Sequence, residues 1–455
     1  MTGAIDAEPL APIRVRTFFG EPRALGFLAF TEVWERFSYY GMTALLVLYM
    51  SQALFTPGHI EHIAGFTAFR GALESVFGPM STLALASQIF GLYTGFVYFT
   101  PVFGGLIADR WIGQRNAVVL GALLMSGGHI AMAFDASFLL ALFLLIVGCG
   151  FLKGNISTQV GGLYGPGDGA GRTRGFSIFS MAINIGAVAG PLACGLLAEL
   201  YGWHAGFGLA AVLMLVGLAT YLYGYRYLPS RVSAAKPKSE AVRLDRRAWV
   251  VIATLLLVIA ISVFQSIAYY QLANIGLVWI DGHVDRSFFG LRIPVAWFNA
   301  VDAFSSIVCV PFLLALWRWQ AKRGGEPGEM AKMATGAFLC AAANLVLVAA
   351  CLMSDRSPVI VPLLYEVMQG VAFIYYWPTL LALVSRAAPQ QIVATMMGVV
   401  FLSLFIANTL IGRLGGLYET MTPTSFWVMH AAIGAAGGVI VLLLKRPLER
   451  VLTSN

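Results

Sequence analysis

The stretch TEVWERFSYYGM, residues 31–42, places Glu32, Glu35 and Arg36 within little more than one helical turn of an otherwise apolar segment. Side chains three and four apart on a helix are neighbours, so both carboxylates reach toward the same guanidinium. One arginine neutralises only one of them. The surplus negative charge needs a proton or a second cation, and Lys153, in GFLKGN, is the only other base deep in an apolar segment of this half of the chain. Desolvation and like-charge repulsion make such a cluster take up a proton readily and return it when water enters. The chemistry on offer is reversible protonation; the alternative is a permanently closed salt-bridge network. Asp302 and Glu366 are the other ionisable groups deep in apolar segments. A charge at mid-bilayer costs at least about 2.5–3.5 kcal/mol, so such side chains face a bundle interior or a wet cavity.

The elements that must position them follow from composition. Of 455 residues, 59% are hydrophobic and 11% charged, where a soluble domain carries about a quarter charged. This is the composition of a polytopic membrane protein. The net charge of +7 sits in short turns between apolar spans, with no basic stripe or aromatic platform, which excludes nucleic acid as a partner. A crossing helix needs about 20 apolar residues. About twelve segments meet that length, the first centred near Ala44 and the last near Gly438. With the N-terminus in the cytoplasm, roughly 22 of the 29 Lys and Arg fall on the cytoplasmic side, which orients the chain N-in/C-in. The long basic connection LPSRVSAAKPKSEAVRLDRRAW divides the chain into an N-terminal half, 1–228, a cytoplasmic linker, 229–248, and a C-terminal half, 249–455. Two six-helix bundles joined this way are the layout of the major facilitator fold, whose solute site lies near the midplane between the halves. The expected fold class is therefore an all-α membrane protein of that fold.

Other features carry less. GGLIADRWIGQR, residues 104–115, resembles the motif that major facilitator proteins carry after their second span. It makes Asp109 and Arg110 candidates for a gate latch on the cytoplasmic face, against an ordinary solvated turn. The five cysteines lie in apolar stretches without a CxxC pair and read as small buried hydrophobes. HIEH, residues 59–62, reads as a short solvated helix rather than a metal site, and His129 as a buried histidine with a backbone partner. The glycine-rich segment 161–175 lacks a Walker lysine, so ATP is not the expected energy source. Arg14, Arg16 and Arg23 precede the first span, and no cleavable signal peptide is expected.

Several stretches, in order, resemble the proton-dependent oligopeptide transporter family. EVWERFSYYGM is similar to its ExxERFxYYG motif. GLYTGFVYFTPVFGGLIADRWIGQR resembles its second-span signature, and GFLKGNISTQVGGLYG its fourth-span GxFKPN segment, with Gly154 in place of proline. RGFSIFSMAINIGAVAGPLACG resembles the fifth-span signature, with Ser180 in place of tyrosine. The resemblance spans about residues 17–440. It implies that Glu32, Glu35 and Arg36 couple protons, with Lys153 as their electrostatic partner. It places Tyr39, Tyr40, Tyr93 and Asn184 on the solute cavity, together with Gln271 and Asn274 of span seven. Asp281 matches an acid at the outer end of that span, a candidate gate partner for a span-one arginine.

Some positions depart from the family. Thr43 stands where the motif continues with arginine, Tyr270 where span seven has glutamate, and Asp302–Ala303 where span eight has Asn-Pro. In YEVMQGVAFIYYWPTLL the family's span-ten glutamate falls on Phe373 and its serine on Trp377. A zwitterionic peptide would lose its usual amino-end anchor. Asp302 and Glu366 are the acids that could replace it, with Glu366 on the Phe373 face about 10 Å along the axis. The aromatic run ending in Trp377 offers stacking or cation–π contacts. The function implied is proton-coupled symport of small peptides or peptide-like solutes by alternating access. It uses no cofactor beyond the coupling proton and no metal, and is carried out by a monomer in the cell membrane. A carrier of a non-peptide or N-blocked solute and a non-transporting sensor are the alternatives; the absence of a clustered nucleophile or metal set argues against an enzyme.

Overall fold

The computed structural model describes residues 17–165, 167–228, 244–288 and 290–453. Most of the expected linker, residues 229–243, lies outside them, as do Arg14 and Arg16. The described chain is helical throughout: α1 (Arg23–Tyr49), α2 (Phe66–Phe77), α3 (Thr82–Ile107), α4 (Gly113–Ala131), α5 (Phe138–Gly161), α6 (Gly169–Tyr201), α7 (Trp203–Gly224), α8 (Arg246–Tyr270), α9 (Ile275–His283), α10 (Ala296–Lys322), α11 (Glu329–Met353), α12 (Ile360–Ala387), α13 (Val393–Gly415) and α14 (Pro423–Thr453). Six two-residue strands form three small ladders in the connections, a detail that apolar periodicity does not register.

Every helix except the short α2 and α9 has at least 19 residues. Ten segments are long and apolar enough to cross a membrane. The two numbers differ for physical reasons. Arg23, Glu32, Glu35 and Arg36 all lie on α1, too many charges for an apolar window. A wide turn over Ala108–Ile112 joins α3 to α4 without a break in helix, so both fall in one segment, Thr82–Ala131. The start of α8 is set by Asp245, whose side chain accepts the Ala248 amide at 2.7 Å, so the helix begins inside the range expected for the linker.

The helices pack in two groups with one pattern. In the first, α1 lies on α6 and α7, α4 on α5 and α7, and α3 on α5; in the second, α8 lies on α13 and α14, α11 on α12 and α14, and α10 on α12. The same five pairings, counted from the start of each group, recur in both, as two related repeats would give. Contact between the groups runs along α3 with α13 and α6 with α10. Glycine makes the closest crossings possible. A Cβ on Gly186 of α6 would meet Arg36 Cβ and the Val33 carbonyl oxygen, both at 2.6 Å, so α6 presses directly on the charged turn of α1.

Polar contacts between the groups gather at one end of the bundle. Gln52 donates to Asp281 at 2.7 Å, Asn274 to Ser87 at 2.7 Å, Ser87 to the Gly412 carbonyl at 3.0 Å, and Trp297 to the Leu192 carbonyl at 2.8 Å. Ser81 also donates to Glu419, and Arg292 lies 3.5 Å from Glu199. At the opposite end, polar contacts among the described residues include two within a group: Arg174 with Glu21 at 2.6 Å, and Arg386 with Glu329 at 2.5 Å. The groups are closed on each other at the end holding Gln52 and Asp281.

Candidate functional site

Between the two groups lies a cavity of about 330 Å³. From the first group it is lined by Glu32, Arg36, Tyr39, Tyr40 and Thr43 of α1, Tyr98 of α3, Lys153 of α5 and Asn184 of α6. From the second it is lined by Tyr269 and Tyr270 of α8, Asn299 and Asp302 of α10, Phe373 and Trp377 of α12, and Asn408 of α13. Each wall side chain sits on a long helix, held by packing rather than by a loop.

The charged turn of α1 is almost dry: Glu32, Glu35 and Arg36 are 2%, 0% and 3% exposed. Arg36 Nε lies 3.1 Å from Glu32 Oε1 and touches Glu35 Oε2. Neither contact is aligned as a hydrogen bond, and Glu32 Oε2 and both Glu35 oxygens have no hydrogen-bond partner among the described residues. A single guanidinium therefore leaves both acids incompletely satisfied. Arg36 also stands over the Tyr39 ring at 5.5 Å. Lys153, expected as the electrostatic partner of the acids, places Nζ 4.3 Å above the Tyr98 ring and forms no ion pair within 4.0 Å among the described residues.

The opposite wall is built on Asp302. Its Oδ2 accepts a bond from the Tyr269 hydroxyl at 2.7 Å, while Oδ1 has no partner among the described residues. Tyr269 stacks on Phe373 at 5.4 Å, and Phe373 on Trp377 at 6.5 Å. Phe373, which stands where the family has an acid, thus buttresses the tyrosine that holds Asp302. Two bases on one wall face an acid on the other.

Other expected site residues lie elsewhere. Glu35 is packed beneath Arg36 and does not line the cavity. Tyr93 is 3% exposed and stacks behind Tyr39 at 6.4 Å. Gln271 and Asn274 are fully buried fasteners: Gln271 donates to the Ile411 carbonyl at 3.3 Å and meets His430 at 3.2 Å, and Asn274 bonds Ser87 and Gln271. A broken helix leaves backbone and amide groups that must find neighbours, and here they find α13, α14 and α3. Glu366 is 0% exposed and stands outside the cavity wall.

The gating expectations change as well. Asp109 and Arg110 are exposed in the turn after α3, where Asp109 accepts from Gln114 at the start of α4 at 3.1 Å and has no arginine partner within 4.0 Å among the described residues. Asp281 pairs with Arg286, in the connection after α9, at 2.5 Å and meets Gln52 just past the end of α1, where the chain carries no arginine. Burial lowers the Arg286 guanidinium from its usual range, with Asp281 opposing that shift. His129 is fully buried, but both ring nitrogens lack a partner among the described residues, so the expected backbone bond is absent there. His59, in the short helical turn of HIEH, meets Asp135 at 2.9 Å.

Tyr98, Tyr269, Asn299 and Asn408 line the cavity without having been expected to. The only signal for them is polarity on an apolar helix: Tyr269 precedes Tyr270, and Asn408 closes the run FLSLFIAN.

Comparison with known proteins agrees with this architecture. A peptide transporter of Yersinia enterocolitica is 28% identical over 97% of this chain and 97% of its own length. A di-/tripeptide transporter of Lactococcus lactis is 27% identical over 96% and 98%. The crystal structure of a peptide transporter of the POT family in complex with sulfate superposes with a TM-score of 0.84 at 26% identity, covering 96% of this chain and 97% of that one. The sequence profile of the POT family matches residues 115–251 and 238–428. This multi-pass membrane chain, with its charged cavity between two like helix groups, belongs to the POT family.

Proposed function

We propose that this chain is a proton-coupled symporter of small peptides or peptide-like solutes, working by alternating access. Twelve helices cross the membrane in two six-helix bundles, with both termini in the cytoplasm. The end sealed by Gln52 and Asp281 is then the outer one, and the structure represents an inward-facing state. The chain is a transporter and not an enzyme; it acts as a monomer in the cell membrane, with the proton as its coupling ion and no cofactor.

The observation that carries this reading is the turn of Glu32, Glu35 and Arg36, buried at the wall of a cavity shared by both groups with too little positive charge for two acids. Protonation of one glutamate removes the surplus charge. It frees Arg36 to meet a carboxylate on the solute, and the buried turn stays neutral while the groups rock. A membrane potential adds about 2.3 kcal/mol per charge per 100 mV to such a cycle. The polarity of the cavity supports the solute class: Arg36 and Lys153 on one wall suit a carboxylate, and Asp302 on the other suits an ammonium, the two ends of a zwitterion. The names of the relatives, which describe peptide and di-/tripeptide transporters, support the same class.

A second reading, a carrier of N-blocked conjugates, draws support from the Tyr269–Phe373–Trp377 stack at the place of the family acid. The two are separated in proteoliposomes. Uptake of a free-amine dipeptide driven by an imposed inward proton gradient, abolished by Glu35→Gln, is the expected result. Uptake indifferent to both the gradient and that substitution overturns proton coupling, and a preference for N-acetylated over free dipeptides transfers the solute to the second reading.

A further inference from the structure

Behind the cavity, the second helix group holds an arrangement that the wall itself does not use. Glu366 of α12 is 0% exposed, and neither carboxyl oxygen has a hydrogen-bond partner among the described residues. Gln369, nearly one turn further on, is equally buried, and both its amide atoms are unpartnered in the same sense. α12 crosses α10 at this point with no space to spare. A Cβ on Gly370 would meet the Asp302 carbonyl oxygen at 2.7 Å, and Ser306 donates to the Gly370 carbonyl at 3.2 Å. Asp302, on the α10 side of this crossing, likewise has an Oδ1 without a hydrogen-bond partner among the described residues.

Among the described residues no base of the second helix group faces this crossing; Arg36 of α1 and Lys153 of α5 line the same cavity as Asp302, while Glu366 lies outside that lining. From α8 comes Tyr269, whose hydroxyl is committed to Asp302; from α11 comes Cys340; Tyr365 and Gln369 flank Glu366 on α12. On α13 the one ionisable side chain, Arg413, is exposed. On α14, His430 is occupied by Gln271 and the Phe426 carbonyl. The remaining bases of these helices, among them Arg246, Arg318, Lys332, Arg386 and Lys445, lie toward the opposite end. A bare carboxylate in dry protein is far more costly than a neutral acid, and of two buried carboxyls at one helix crossing the one outside the cavity lined by the bases, Glu366, is the one to keep its proton.

We propose that Asp302 and Glu366 form a two-acid site that holds one proton: Glu366 is kept as the neutral acid, and Asp302 bears the charge that the cavity presents to a cationic group. Glu366 is a positioning residue, since it touches neither cavity nor cargo. Its bound proton spares Asp302 a second buried negative charge at the crossing, and Gln369 supplies a neutral donor and acceptor beside it. The cargo half of this proposal rests on the peptide reading above; the proton half does not.

The test is infrared difference spectroscopy on the purified full chain at neutral pH, comparing wild type with Glu366→Gln and Asp302→Asn. The expected result is loss of a protonated carboxylic-acid carbonyl band in E366Q, and in D302N loss of carboxylate bands with a displaced acid band. Loss of carboxylate bands alone in E366Q overturns the proposal. Binding of a free-amine dipeptide is then measured on the same samples. E366Q stays within about twofold of wild type and D302N weakens at least about tenfold, the scale of one lost charge contact. A tenfold loss in E366Q overturns the positioning role, because the cargo would then sense a charge on Glu366. The spectra need no cargo, so a wild type that fails to carry peptides defeats the transport reading and leaves the two-acid site standing.

Discussion

Asn274 donates to Ser87 Oγ at 2.7 Å, and both side chains are fully buried. That bond fastens the break between α8 and α9 to the first turns of α3, from one helix group to the other. Asn274 adopts φ −109° and ψ −103°, outside the helical range, and its amide also donates to Gln271 Oε1 at 3.0 Å. Removing a buried donor costs about 1–3 kcal/mol, because its partners are left dry and unsatisfied. Asn274→Ala is expected to loosen the closed end by that amount. A cysteine reporter introduced at Gln52 should then react faster with an aqueous thiol reagent; an unchanged rate would show that the bond does not hold the ends together.

A neighbouring contact depends on the absence of a side chain. Gly91 of α3 lies against α13, where a Cβ would meet the Gly412 amide nitrogen at 2.8 Å and crowd the Asn408 carbonyl. Overpacking of this kind costs about 1–3 kcal/mol. If the groups part during transport, Gly91→Ala penalises only the state in which they touch, and the conformational equilibrium shifts toward opening at this end. Gly105→Ala is the control, since a Cβ there meets nothing within 4 Å. Equal behaviour of the two variants in accessibility labelling would count against the idea.

Much of the helical layout is legible in the residues. Every expected apolar segment falls on a long helix, because a run of about 20 apolar residues can satisfy its backbone in lipid only as helix. The charged turn on α1 is legible too, since i,i+3 and i,i+4 spacing fixes who neighbours whom. Long-range partnership is not. Gln271 and Asn274 are conspicuous as polar residues in an apolar segment, but polarity states only that a partner is required; here the partners, Ile411 and Ser87, come from distant helices. For Glu366, helical periodicity indicates the face shared with Phe373, while its depth behind Asp302 depends on how α10 crosses α12. Asp109 and Arg110 sit at a motif position, but a motif does not state which neighbour each side chain meets, and here Asp109 accepts from Gln114.

The charged turn predicts an order of stabilities. Arg36→Ala leaves Glu32 and Glu35 buried with no base in contact, a loss of about 3–5 kcal/mol for a broken buried ion pair. Lys153 is half-buried over Tyr98 and carries no carboxylate contact among the described residues. Lys153→Ala therefore forfeits only a cation–π contact of about 0.5–2 kcal/mol. Thermal unfolding in detergent should rank wild type above Lys153→Ala above Arg36→Ala. The reverse ranking would mean that Lys153, not Arg36, neutralises the acids.

At the sealed end, Asp281 joins two partners of different kinds. Gln52 reaches it from the other helix group at 2.7 Å, and Arg286 from its own connection at 2.5 Å. Arg286 is held in turn by the Ile293 carbonyl at 3.0 Å and lies 4.0 Å from Glu199 of α6. Truncating Asp281 therefore removes a link between the groups and also frees Arg286, whereas truncating Gln52 removes only the link. A double-mutant cycle on Gln52→Ala and Asp281→Ala should yield a coupling of about 0.5–3 kcal/mol in the equilibrium between the sealed end closed and open, with the double variant opening less than the sum of the singles. Because Asp281 is partly exposed at this end, raising salt should weaken its ion pair with Arg286 and narrow the gap between wild type and Asp281→Ala. Strict additivity of the two substitutions would show that Gln52 and Asp281 act on the sealed end independently, and the bond between them would not be part of the seal.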